Sequence, residues 1–109
     1  VNIDGGPTKS GVAPSEALVL AREVAQLPNL VLRGLMTIPE PAPDFAAALA
    51  VHRQARALFD QLCAAGLALD TLSMGMTADL EAAIAAGSTL VRVGTAIFGG
   101  RPYGAATAA

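Results

Sequence analysis

The chain of 109 residues holds one cysteine, one histidine, one tyrosine and no tryptophan, and Lys9 is the sole lysine among seven basic residues. Each scarcity closes off a class of function. A lone Cys63 cannot form an internal disulfide, and its apolar helical setting marks it as a buried thiol in a reducing, cytoplasmic protein. One histidine and one cysteine cannot build a structural zinc site. A net charge of −2, with the arginines scattered along the chain, leaves no electrostatic footprint for nucleic acid. The longest apolar stretches, 62–69 and 82–86, fall well short of the roughly 20 residues that span a bilayer. No basic stretch precedes an apolar run, so no signal peptide is expected. Disorder is excluded in turn, because 53% of the residues are apolar and the mean hydropathy is +0.52. The chain opens without methionine on the β-type residues Val1, Asn2 and Ile3, which leads to the expectation of a fragment or processed product.

What is present alternates between strand and helix patterns. An opening strand at 1–3 runs into a Gly/Pro-rich loop through Gly11. Pro14, Ser15 and Glu16 then mark a helix start, with apolar residues at helical spacing as far as Gln26. The branched run 30–38 reads as a second strand, closed by a loop containing Pro39, Pro41 and Pro43. A long helix from Asp44 to about Ala65 sets Phe45, Leu49, Ala55, Leu58, Phe59 and Leu62 on one broad face, with Gly66 as its stop. His52, on this helix, reads as a boundary residue. A third strand at 71–74, a helix at 78–86 ended by Gly87, and a fourth strand at 89–93 complete the pattern, and the Ala/Gly-rich tail 104–109 is expected to fray. Four strands with three helical crossovers imply parallel βα units. A small doubly wound sheet would accommodate them, and so would half of a (β/α)8 barrel, which takes about 200 residues or more.

Two strand-to-helix turns concentrate the chemistry. In Ser73-Met74-Gly75-Met76-Thr77, glycine permits a tight turn with free amides, Thr77 is placed to cap the following helix, and Ser73 adds a hydroxyl. Amides, hydroxyls and the positive end of a helix dipole make an anion site suited to phosphate. A capped turn without a ligand is the plainer alternative. The turn beginning Gly94-Thr95 repeats the arrangement one unit later, and barrels frequently hold phosphate on the loops after their last two strands. Arg92, on an otherwise apolar strand, requires either a protein carboxylate or an anionic or nitrogen-containing ligand. Arg33 poses the same choice. Asp79 and Glu81 suit the helix dipole, the three methionines suit core filling, and no Ser/His/Asp set is evident.

Residues 73–84 and 87–99, with Val1-Asn2-Ile3, Lys9-Ser10-Gly11 and the run from Leu32 to Pro39 in the same order upstream, resemble the pyridoxal phosphate homeostasis proteins (YggS/PROSC type) as far as Tyr103. The resemblance implies the C-terminal half, residues 1–103, of an alanine racemase-type parallel (β/α)8 barrel (TIM barrel) that binds pyridoxal 5′-phosphate (PLP). It places the phosphate on Ser73, Thr77 and the amides around Met74, Gly75 and Met76, with Gly94 and Thr95 completing the cradle. Arg92 would face the cofactor on its phosphate or its pyridine side. The function implied is non-catalytic PLP binding in intracellular PLP homeostasis. The alternatives are a racemase-type PLP enzyme, or a barrel fragment that no longer binds cofactor. The family's Schiff-base lysine belongs to the N-terminal half, which this chain lacks, and Lys9 matches the Lys-Ser-Gly loop instead. Unpaired barrel edges lead to the expectation of a companion N-terminal half or of self-association.

Overall fold

The computed structural model describes residues 1–7 and 10–100. Lys9 and the tail 104–109 expected to fray therefore lie outside the described residues. In chain order the elements are a 3-10 turn at Pro14–Glu16, helix α1 (Ala17–Ala25), strand β1 (Gly34–Met36), helix α2 (Phe45–Ala64), strand β2 (Thr71–Ser73), a 3-10 turn at Thr77–Asp79, helix α3 (Leu80–Ala86) and the one-turn helix α4 (Thr95–Phe98).

The helices follow local signals. Pro14 stands in the turn leading into α1, where its missing N–H costs nothing. Asp44 caps α2 by accepting from the Ala47 amide at 2.8 Å, a bond worth about 1 kcal/mol. Along α2 the residues Ala48, His52, Ala55, Leu58, Phe59 and Leu62 are buried, while Phe45, expected on the core face, is half exposed at the first turn. Their spacing turns α2 toward two apolar clusters. Ala55 and Phe59 pack with Ile3, Leu72, Met74, Ala83 and Ala86, and Leu58 and Leu62 pack with Ala17 and Ala21 of α1. Cys63, expected to be buried, is only partly so, and its thiol points at the Leu69 carbonyl.

The sheet is smaller than the four strands expected. Strands β1 and β2 pair in parallel, Gly34 with Thr71, Leu35 with Leu72 and Met36 with Ser73. The approach is so close at Gly34 that a methyl group there would overlap the Thr71 carbonyl oxygen. The fourth strand reduces to one parallel bridge between Leu90 and Ser73. Two features break its ladder: the amides of Thr89 and Leu90 share the single Leu72 carbonyl, and Gly75 adopts φ +101° and bends the chain out of the strand direction. The opening segment is not a strand. Its Val1 amino group reaches the Met36 carbonyl at 2.9 Å, but the Asn2 amide is taken by Val12 of its own loop. The expected strand 30–38 likewise shrinks to its centre, since Asn29 is left-handed and Leu30 and Val31 are exposed.

Candidate functional site

The carboxyl ends of β1 and β2 and the segment after Leu90 meet at one end of the sheet, where open α/β sheets place their ligands. Arg92 ties these three segments together. Its Nη1 donates to the Ser73 hydroxyl, and its Nη2 donates to the Thr37 carbonyl at 2.9 Å. Its own amide donates to the Gly75 carbonyl at 2.9 Å. Both side-chain acceptors are neutral, so the guanidinium keeps its full positive charge at the strand ends, with N–H groups to spare from its five. Arg33, by contrast, forms an exposed two-pronged ion pair with Asp70 at 2.7 to 3.1 Å. This is a surface feature, and bonding to Arg33, then to Thr71, holds the Asp70 carboxyl below its ordinary range.

The turn between β2 and α3 is built on Gly75. A Cβ at this position would stand 2.5 Å from the Ala83 side chain, so glycine satisfies both the positive φ and the close seat on α3. Met74 is wholly buried in the core, and its amide is spent on the Leu90 carbonyl at 3.1 Å. The Met76 amide donates to Asp79 Oδ1 at 2.8 Å. Neither of these two expected cradle amides is therefore free. Thr77 does not cap its own helix as expected. Its hydroxyl instead accepts from the Ala96 amide at 3.2 Å, because the second turn lies directly beside the first. The bond joins the two turns, and the amides of Gly94 and Thr95 have no hydrogen-bond partner among the described residues. A side chain at Gly94 would enter open space.

Three contributors lay beyond sequence reasoning. Thr37 is 1% exposed, and its hydroxyl is buried without a partner among the described residues. A hydroxyl ending an otherwise apolar strand was the one available signal. His52, expected at a boundary, is equally buried, and its Nε2 donates to Asp79 Oδ2 at 2.7 Å. Burial raises the Asp79 carboxyl, but the Met76 amide and His52 together outweigh it and hold the group below its usual range. Thr37, His52, the turn from Gly75 to Asp79 and Arg92 line one cavity of about 580 Å³, walled opposite by the proline-rich loop after β1. Glu40, Asp44 and Glu81 sit around it. The donors on its wall are the Arg92 guanidinium and the hydroxyls of Thr37 and Thr77, groups able to meet an anion, while Ser73, Gly94 and Thr95 lie outside its lining.

A parallel two-stranded sheet with a helical crossover, its strands ending beside two adjoining turns, is part of a TIM-barrel-type fold. Residues 1–102 match the family described as alanine racemase, N-terminal domain, and the chain belongs to that family. It is 53% identical over 103 residues to the pyridoxal phosphate homeostasis protein of Vibrio cholerae, covering 94% of this chain and 44% of that protein. With the protein of the same name from Pseudomonas aeruginosa it shares 56% over 105 residues, 96% of this chain and 44% of that one. The chain thus spans under half the length of these curated relatives. Among solved structures it superposes on PipY of Synechococcus elongatus with PLP bound, with a TM-score of 0.78, 34% identity, and 91% of this chain against 47% of that one. An unknown protein from Bifidobacterium adolescentis gives a TM-score of 0.82 at 42% identity, covering 90% of this chain and 40% of that one. No helix among the described residues is long and apolar enough to cross a membrane.

Proposed function

We propose that this chain is the C-terminal half of a (β/α)8 barrel that binds pyridoxal 5′-phosphate and serves intracellular, cytoplasmic PLP homeostasis without turnover. The observation that carries the reading is the convergence of Arg92, Ser73 and Thr37 at the strand ends, beside two turns joined by Thr77 and Ala96. The resident residues fit the cofactor's charged end. Ser73, Thr77, Arg92 and the amides of Gly94 and Thr95 supply positive or hydrogen-donating groups to a phosphate, and the buried Thr37 hydroxyl, without a partner among the described residues, offers a further one. Met74 contributes packing beneath the turn, and Gly75 and Met76 contribute its shape. When bound, the cofactor supplies an aldehyde able to condense reversibly with amines. The lysine for that linkage would belong to the part of the barrel that relatives carry beyond the stretch this chain matches. A companion N-terminal half would supply it and cover the open strand edges. Self-association is the other means of covering them.

The test is a PLP titration of this chain alone and of the chain combined with the N-terminal half of a relative, followed by absorbance and by calorimetry. Binding by the combination, and a weakening of about 10- to 100-fold in Arg92→Met, is expected from the loss of charge-assisted bonds of about 1.5–3 kcal/mol. Equal affinity in Arg92→Met would refute the placement of the anion. Racemisation of an added amino acid would overturn the non-catalytic reading.

A further inference from the structure

The pair formed by His52 and Asp79 has no part in the site as sequence reasoning framed it, yet it joins the core to the phosphate turn. Asp79 uses its two carboxylate oxygens in different directions. Oδ1 accepts from the Met76 amide at 2.8 Å and Oδ2 accepts from His52 Nε2 at 2.7 Å. The imidazole sits one turn before Ala55 on the longest helix and is 1% exposed, whereas the Asp79 side chain is 28% exposed. One end of the relay is therefore fixed in the core and the other grips the turn from Gly75 to Ala78. We propose that His52 is a positioning residue: acting through Asp79, it sets the conformation in which this turn offers its donors to an anion. The inference rests on the phosphate reading of the turn.

Two physical consequences follow from the geometry. Without His52, the Asp79 carboxylate keeps only its Met76 bond and is free to rotate, and the amide of Met76 loses a fixed acceptor. The carboxylate also carries negative charge at the rim of an anion site, and the bond from Nε2 holds one of its oxygens toward α2. A glutamine at position 52 can place an amide N–H close to where Nε2 stands, whereas leucine fills the space without a donor. The two substitutions thus separate the hydrogen bond from the volume of the ring.

The experiment uses the full chain with PLP and, separately, inorganic phosphate as probes, and reads both dissociation constants and hydrogen exchange at the Met76 amide. In His52→Leu, exchange at Met76 is expected to accelerate, and affinity for both probes to fall about 5- to 30-fold, the range that corresponds to a lost capping bond. His52→Gln is expected to restore both. Asp79→Ala, altered at the partly exposed end of the relay, should reproduce the effect of His52→Leu, and combining the two should add little further. This variant also carries the test if leucine at position 52 prevents folding. Affinity within twofold of the parent chain in both His52→Leu and Asp79→Ala overturns the proposal. If neither the parent chain nor its combination with the N-terminal half of a relative binds either probe, the phosphate reading fails, and exchange at Met76 decides the positioning role alone. Acceleration in His52→Leu with recovery in His52→Gln then supports it, and unchanged exchange overturns it.

Discussion

Replacing Gly75 by alanine tests whether the turn after β2 has the shape described, because two independent costs act at one atom. The residue has φ +101°, where a side chain is strained by about 1–2 kcal/mol. The added methyl would lie 2.5 Å from Ala83 Cβ, well inside van der Waals contact, and relief of such overpacking costs about 1–3 kcal/mol. Together the single substitution should destabilise the fold by roughly 2–5 kcal/mol, a large share of the 5–15 kcal/mol typical of a domain. Ala83→Gly alone costs about 1 kcal/mol in helix propensity plus a fraction for the lost methyl. In the double variant the clash disappears while the strain at position 75 remains. Urea unfolding of the four species should therefore give a coupling of about 1–3 kcal/mol in favour of the double variant. A Gly75→Ala chain within 0.5 kcal/mol of the parent, or additive effects across the cycle, would refute the reasoning.

Other substitutions probe the scaffold and its charges. Leu62→Ala removes a wholly buried side chain between α1 and α2 and should cost about 2–5 kcal/mol in the same assay. Arg56 donates to the Gly87 carbonyl at 2.9 Å, pairs with Asp60 at 3.0 Å and lies over the Phe59 ring. Arg56→Ala should lower stability by about 1–2 kcal/mol, against under 0.5 kcal/mol for Asp60→Ala, whose exposed pairing counts for little. The Asp79 carboxyl is held below its ordinary value near 3.9, so on acidification the unfolded chain takes up the proton first. Its stabilisation should be complete above about pH 5 and disappear as pH falls through the lowered folded value. Asp79→Asn should flatten that limb of a urea-midpoint profile, and an unchanged profile would argue against the pairing.

Helices were legible because their signals are local. Helix α2 begins where Asp44 was expected to start it, Gly87 ends α3, and the apolar spacing from Ala55 to Leu62 marked the buried face correctly. The strands were less legible because pairing is decided at a distance. The run 89–93 has strand composition throughout, yet one shared carbonyl at Leu72 and the bend at Gly75 reduce it to a bridge. The same divide runs through the site. Ser73, Thr77, Arg92, Gly94 and Thr95, the residues proposed for it, were singled out by residue type and by their place on strands or at their exits. The partners of Thr77 and Arg92 could not be, since they stand 19 and 55 positions away along the chain. His52 and Asp79 are separated by 27 positions, and only the packing of α2 beside α3 brings them together. Their roles as a core histidine and a turn-holding acid were invisible to periodicity for that reason.

Arg92 makes three segments of the chain depend on one another. Its two side-chain acceptors come from separate βα units, so both bonds are made together only when β1, β2 and the segment after Leu90 lie side by side. An arginine whose partners are absent is merely a solvated cation, indifferent to how the rest of the chain is arranged. The proposed anion site is therefore complete only in the docked arrangement, and a ligand held there would stabilise that arrangement by RT ln(1 + [L]/Kd). On the proposed reading, ligand supply and the hold between the strands are thus coupled through one residue.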